Sequence, residues 1–83
     1  MGKYESVNKK EVPLTRRFVL RRDGDVTGNS GTGIVSIGLM FPSGRCVLEW
    51  TTPIKSLCIY DSIAEVEALH GHDGKTTVIW VDK

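Results

Sequence analysis

The chain has 83 residues, of which 40% are hydrophobic and 25% are charged, and its formal net charge at pH 7 is +1. This composition is typical of one small soluble domain, and no apolar run approaches the roughly 20 residues that a membrane-spanning helix needs. A domain of this size buries only about 60–65% of its unfolded surface. Its thin core leaves little room for a catalytic pocket, so we expect no enzyme and no cofactor.

The beginning of the chain is basic and the remainder is acidic. Residues 1–22 carry seven basic and two acidic side chains, a net charge of +5, whereas residues 23–83 carry four basic and eight acidic side chains, a net charge of −4. Residues 1–14 are polar and aperiodic, which predicts a flexible N-terminal arm before a single small β-rich domain at 15–83. The basic excess indicates either a polyanion-binding segment or a solvated arm followed by a charged edge strand.

The first predicted strand spans residues 16–22 and places Phe18 and Leu20 on one face. The eleven residues that follow, 23–33, include four glycines, and so long a loop in a small domain is either functional or mobile. The loop lacks the Gly-Lys-Ser/Thr sequence of a phosphate-binding loop and the terminal glutamate of a calcium loop. We therefore expect a binding loop without fixed chemistry. Its candidate contact residues are Asn29, Ser30 and Thr32.

A β-hairpin over residues 33–50 is the predicted centre of the fold. Pro42 and Gly44 suit a type I turn with a bulge, in which Gly44 takes a positive φ. Alternation of side chains gives each strand an apolar face. On the first strand this face comprises Val35, Ile37, Leu39 and Phe41, and on the second it comprises Cys46, Leu48 and Trp50.

A strand at 56–60, a helix at 61–69 and a last strand at 75–82 complete the predicted elements. Ser62 and Glu65 form a capping box, in which each side chain accepts a hydrogen bond from the backbone N–H of the other. Helical spacing and a glycine after the helix give a core face and a left-handed cap at Gly71. The predicted core positions of the helix are Ile63, Val66 and Leu69. The last strand alternates between Thr77, Ile79 and Val81 on one face and Val78 and Trp80 on the other.

The resulting order, β-loop-β-turn-β-β-α-β, predicts an α+β or mostly β fold. We expect either a small five-stranded antiparallel sheet or an SH3-like, partly open barrel, with one short helix before the last strand. Such architectures serve many unrelated functions, so the fold alone assigns none.

Four segments form a pattern: SGTGIV at 30–35, FPSGRCVLEW at 41–50, SLCIYDS at 56–62 and HGHDGKT with a following Trp at 70–80. In this pattern the chain, over about residues 16–82, resembles a family of short proteins from phages, actinobacteria and halophilic archaea. The resemblance implies a stand-alone small protein, often carried by mobile elements. It implies no catalytic residues, and the N-terminal arm lies outside it.

The segment 70–73 contains two histidines and an aspartate, which are zinc-ligand types. A closed structural site normally shows four clear ligands, and only Cys58 offers a further one. We therefore expect no metal, with His70 and His72 as weak candidates, and assign capping and turn contacts to these histidines and to Asp73. A contact that responds to pH is a further possibility, because histidine titrates near neutrality.

The two cysteines, Cys46 and Cys58, each lie within an apolar strand pattern, where cysteine behaves as a small buried hydrophobe. Two cysteines are too few for a disulfide scaffold. We therefore expect reduced thiols and a cytoplasmic protein, with a bridge between adjacent strands as the alternative.

Two functions fit these features. The first is a non-catalytic module that binds a protein partner through the glycine loop, the 70–75 turn and an open sheet edge. The second is a nucleic-acid or nucleotide binder, in which basic residues contact phosphates and Tyr60 or Trp80 stacks on bases. The basic residues of this second hypothesis are Lys9, Lys10, Arg16, Arg17, Arg21 and Arg22. The near-neutral total charge favours the first function.

The candidate binding residues shared between these hypotheses are Arg17, Arg21, Arg22, Asn29, Ser30, Thr32, Tyr60, His70, His72, Asp73, Lys75 and Trp80. We expect a monomer or a weak homodimer formed at an exposed edge, and no membrane partner.

Overall fold

The computed structural model describes residues 5–23, 33–71 and 74–82. A 3-10 turn at Lys9–Glu11 precedes five strands and one helix. The strands are β1 (Arg16–Arg22), β2 (Gly33–Met40), β3 (Cys46–Trp50), β4 (Leu57–Tyr60) and β5 (Thr76–Trp80), and the helix is α1 (Ile63–His70). The predicted order of elements is confirmed.

The five strands form one antiparallel sheet in the order β4-β3-β2-β1-β5. This open, mostly β architecture with one short helix before the last strand confirms the predicted fold class. The SH3-like barrel is not confirmed, because β4 and β5 lie at opposite edges of the sheet. The basic strand β1 is paired on both sides, so its interpretation as a charged edge strand is wrong.

One face of the sheet carries the core, and α1 packs on that face through Val66, which is fully buried. The predicted faces of β1 and β3 are confirmed, because Phe18, Leu20 and Leu48 are buried together. The full buried cluster is Phe18, Leu20, Val35, Cys46, Leu48, Tyr60 and Val66. Partly buried side chains that pack against it are Met40, Trp50, Cys58, Ile63, Val78 and Trp80.

The predicted face of β2 is wrong beyond its first residue. Val35 is buried, but Ile37 is 54% exposed and Phe41 is 45% exposed, while Ser36 and Gly38 point into the core. The register explains the difference, since the pairing shifts beside Leu20 and leaves Val35 as an extra residue opposite β1. Such a β-bulge reverses the alternation of side chains along the strand, so both Val35 and its neighbour Ser36 are buried.

The turn between β2 and β3 is confirmed. Gly44 has φ +94°, its N–H donates to the carbonyl of Phe41 over 2.8 Å, and the N–H of Phe41 donates to the carbonyl of Arg45 over 2.8 Å. Because glycine takes a positive φ without steric cost, this position aligns the two strands without strain.

The start of α1 matches the predicted capping box with one shift. Ser62 Oγ accepts from the N–H of Glu65 over 3.1 Å, but the Glu65 carboxylate accepts from Asp61 rather than Ser62, also over 3.1 Å. At the other end two predictions are wrong. Gly71 has a right-handed φ of −68°, and Leu69 is exposed, because the helix meets the sheet through Val66 and His70 instead.

Candidate interaction surface on the open sheet

The face of the sheet opposite α1, here called the outer face, carries two adjacent rows of mostly apolar side chains. Strand register aligns the first row across all five strands as Leu57, Glu49, Ile37, Val19 and Ile79. The second row is Ile59, Val47, Leu39 and Arg17. Neighbouring side chains in such rows contact each other across the strands, so the apolar members form a continuous surface.

This surface is open to solvent. On the edge strand β4, Leu57 is 64% exposed and Ile59 is 69% exposed. Ile37, on the central strand β2, is also more than half exposed. Within the described ranges, the helix α1 packs on the opposite face and nothing comparable covers the outer face. Extended apolar surface that is exposed to solvent often serves in binding, so the outer face is a candidate interaction site.

A groove lies at one corner of the outer face, where the β2–β3 turn meets the edge strand β4. Its volume is about 480 Å³. We call it the edge groove, and its lining residues are Phe41, Ser43, Arg45, Cys46, Val47 and Ile59. The lining is mainly apolar and the exposed Arg45 is its only charged member, so the groove suits an apolar group with a neighbouring negative charge.

Arg17, a candidate for phosphate binding, is occupied within the chain. Its guanidinium makes a bidentate contact with the carboxylate of Asp82, with distances of 3.0 Å from Nε and 2.9 Å from Nη2, and its backbone N–H donates to the same carboxylate over 2.8 Å. These hydrogen bonds lower the pKa of Asp82 to about 2 and raise the pKa of Arg17. This ion pair holds Asp82, which follows β5, against β1.

The other arginines of β1 also have partners. Arg16 stacks on the ring of Trp80 at 3.8 Å from its centroid, and Arg21 contacts Asp23 at 3.2 Å. Arg22 is buried, and its Nε donates to Thr76 Oγ1 over 3.2 Å. Three of these four β1 arginines therefore meet an aromatic or acidic group, and the fourth is buried.

The two aromatic candidates for stacking already pack against other side chains. Trp80 is partly buried; it contacts Phe18 edge to face, with centroids 5.3 Å apart, and Arg16 lies over its ring. Tyr60 is buried, and its hydroxyl lies 2.6 Å from Nε2 of His70. The two aromatic residues thus contribute to packing.

Tyr60, His70 and Trp50 form a cluster between β3, β4 and the end of α1. The His70 ring meets both aromatic rings edge to face, at 5.0 Å from Trp50 and 5.5 Å from Tyr60. Burial, together with the nearby Cys58 thiol, raises the pKa of Tyr60 to about 12. Through its contacts with the rings of Trp50 and Tyr60, His70 joins the helix to the sheet.

Five predicted site residues, Asn29, Ser30, Thr32, His72 and Asp73, lie outside the described residues, so the predicted loop and turn contacts and the His70–His72 pair stay predictions. Lys75 is exposed before β5, and its carbonyl accepts from the N–H of Asp23 over 2.8 Å. Across the described ranges no three His, Cys, Asp or Glu side chains are grouped as a metal site would require.

Sequence reasoning missed the outer face. A signal for it was present, because β2 and β4 carry apolar residues at both odd and even positions. Strands that are buried on both sides have this composition, whereas strands with one solvated face alternate between apolar and polar residues. In β2 and β4 the core accounts for the apolar residues of one face only, and the apolar residues of the other face belong to the outer face of the sheet.

The fold and this surface define a small, mostly β domain with one uncovered apolar sheet face. The model of the family described as Acb5 phage protein matches residues 15–82, and the chain belongs to this family. The predicted phage association is thereby confirmed, while the wider occurrence in actinobacteria and archaea stays a prediction. No curated protein and no solved structure matches the chain. Among the described helices none has the length and apolar character needed to cross a bilayer.

Proposed function

We propose that this phage protein is a non-catalytic binding module that binds an extended segment of a protein partner at β4 and in the edge groove. The observation that carries the proposal is the position of Ile59, which is 69% exposed on an edge strand and lines the groove.

The edge strand β4 suits addition of a further strand. Edge strands present backbone N–H and C=O groups, and proteins often protect them with charged residues, prolines or bulges. The β4 sequence, LCIY, contains no charge and no proline. A partner segment that pairs with β4 would place alternate side chains beside Ile59 and Phe41. Its backbone hydrogen bonds to β4 would supply affinity, and the fit of its side chains in the groove would supply specificity.

The groove favours an acidic residue in the partner segment, which supports a binding role. Arg45 supplies a positive charge at the rim for a carboxylate. The nearby Cys46 is buried, and burial raises the pKa of its thiol, so it is held away from the thiolate form that attacks substrates. Both cysteines are free thiols, which supports our proposal of a reducing, cytoplasmic environment.

A matched pair of charge reversals tests the proposal. Arg45→Glu changes the groove, whereas Lys55→Glu makes the same change in charge at an exposed residue outside it. With the immobilised full chain and a host lysate, we expect a specific protein to be retained by the unchanged chain and by Lys55→Glu, and at least tenfold less by Arg45→Glu. The β4 amides should also exchange with deuterium more slowly in the complex. Equal retention by both variants would contradict the proposal.

A nucleic-acid or nucleotide ligand is the second candidate, and the net charge of +5 over residues 1–22 supports it. Because the β1 arginines already have partners within the chain, mainly Lys9 and Lys10 remain to bind phosphates. Titration of a labelled oligonucleotide over a salt series distinguishes the candidates, because phosphate binding weakens steeply as salt rises. We expect no binding even at low salt; a steep salt-dependent affinity would favour the second candidate.

A further inference from the structure

The outer face is larger than the edge groove, and its centre lies away from β4. Ile37 occupies the middle strand of the first row, with Glu49 and Leu57 on one side and Val19 and Ile79 on the other. Groove binding at β4 leaves this central region and the β1–β5 side uncovered. A separate occupant is therefore required to remove the apolar rows from water.

We propose that the occupant is a second copy of this chain, so that two outer faces pack against each other in a symmetric dimer. Two sheets that pack face to face are related by a twofold axis that lies between them, about 5 Å from each sheet. Each copy keeps its own helix on the outside. The product is a four-layer particle with two sheets in the middle.

The charges of the outer face select the direction of that axis. With the axis parallel to the strands and passing over Ile37, β3 of one copy lies over β1 of the other. Glu49 then faces Val19 of the second copy and lies between that copy's Arg17 and Arg21, which flank Val19 on the outer face. With the axis perpendicular to the strands, each Glu49 would face the other Glu49, which is repulsive.

Glu49 is available for such a partner. It is exposed between Leu57 and Ile37 in the first row, and it makes no ion pair within the described part of the chain. Arg21 is the better of the two arginines, because its contact with Asp23 is a single exposed one, whereas Arg17 is held by Asp82 through both side-chain and backbone bonds. The twofold axis makes the Glu49–Arg21 contact twice.

The area of the outer face meets the lower limit for a specific dimer. Five strands about 4.8 Å apart, each with several outward residues about 6.8 Å apart, cover roughly 24 × 20 Å, or about 500 Å² per copy. Two copies therefore bury about 1,000 Å², an area typical of weak, transient interfaces. We expect a reversible dimer whose population depends on concentration.

Sedimentation velocity of the full chain over a concentration series tests the proposal. The unchanged chain should shift from monomer to dimer as concentration rises. Ile37→Lys should remain monomeric over the same range, because it places two charges at the centre of the interface. Ile54→Lys is the matched control, since Ile54 is 83% exposed but lies between β3 and β4, away from the rows, and it should dimerise normally.

A charge-swap mixture tests the orientation and controls for misfolding. Glu49→Arg alone gives two repulsive Arg–Arg contacts, and Arg21→Glu alone gives two Glu–Glu contacts, so each variant should be monomeric. Mixed together, they restore two opposite-charge contacts and should form a heterodimer with at least tenfold higher affinity than either homodimer. Variants that had merely failed to fold would not recover on mixing.

Four results would overturn the dimer. These are a monomeric unchanged chain at all concentrations, a dimer that survives Ile37→Lys, a mixture that stays monomeric, and a dimer that disappears only when residues 1–14 are deleted. The last result would assign the dimer contact to the arm instead of the outer face. The dimer covers Ile59 and Val47, which also line the edge groove, so a groove ligand and the second copy bind in turn. Arg45 lies outside the two rows, so the capture experiment and the sedimentation experiment can fail separately.

Discussion

The backbone of Gly38 lies against the Phe18 ring, at the point where β2 crosses the centre of the core. A Cβ atom at this position would overlap the Phe18 ring and would lie 2.9 Å from Cδ2 of Leu48. We expect Gly38→Ala to lower the free energy of unfolding by about 1–3 kcal/mol, as overpacked cores do. Urea denaturation measures this loss. The exposed substitution Ile54→Ala is the control, and an equally small effect of both would contradict the packing argument.

The Asp82–Arg17 pair gives the protein a component of acid sensitivity. The pKa of Asp82 is lowered from 3.8 to about 2 in the folded chain. The ionised carboxylate therefore stabilises the fold fully above the pKa that Asp82 has in the unfolded chain, and this stabilisation is lost as pH falls from about 4 to 2. We therefore expect Asp82→Asn to melt at a lower temperature than the unchanged chain at pH 7. The difference should disappear near pH 2. A difference of constant size across this range would contradict the assignment.

Among the secondary-structure elements, α1 is joined to β4 by the contact of Tyr60 with His70. The pKa of Tyr60 rises from 10.0 to about 12, so an unfolded chain loses this proton first and stability falls as pH rises through that interval. We expect Tyr60→Phe to lower the free energy of unfolding near pH 7 by about 1 kcal/mol, through the lost hydrogen bond.

The same substitution should flatten the alkaline part of the stability profile. Thermal unfolding of both chains at several pH values from 9 to 12 measures this effect. If Tyr60→Phe loses stability between pH 10 and 12 as steeply as the unchanged chain, another group is responsible for the alkaline transition.

The elements that sequence reasoning predicted well are those with local signals. Alternation in β1 and β3, the turn at Gly44 and the cap at Ser62 each depend on neighbouring residues only. The bulge at Val35 could not be predicted, because it depends on how β1 and β2 pair. Position 71 illustrates the same limit, since the carbonyl of Gly71 accepts hydrogen bonds from the N–H groups of Gly74 and Thr76.

The candidate site was less predictable than the fold. The arginines were predicted to bind phosphates or a partner, but the carboxylate of Asp82 lies 65 residues from Arg17, and nothing local indicates that they meet. The outer face was missed because apolar residues on strands are normally assigned to the core. Only the position of α1 shows which half of them remains uncovered.

At the scale of the whole molecule, the domain is predicted to be independent of the arm. The family match begins at residue 15, and the described arm residues are exposed throughout, including Val7, Val12 and Leu14. We therefore expect deletion of residues 1–14 to change the midpoint of urea unfolding by no more than experimental error. A clear loss of stability would show that the arm packs on the domain. Circular dichroism of both chains provides the measurement.

The pairing of β5 with β1 has a consequence for the order of folding during synthesis. Residues 17 and 82 are neighbours in space although they are at opposite ends of the domain. The hairpin of β2 and β3 can form as soon as it leaves the ribosome, but β1 has no partner on its second side until β5 has emerged. Closing so long a loop is entropically slow, so the sheet is completed only after β5 has been synthesised.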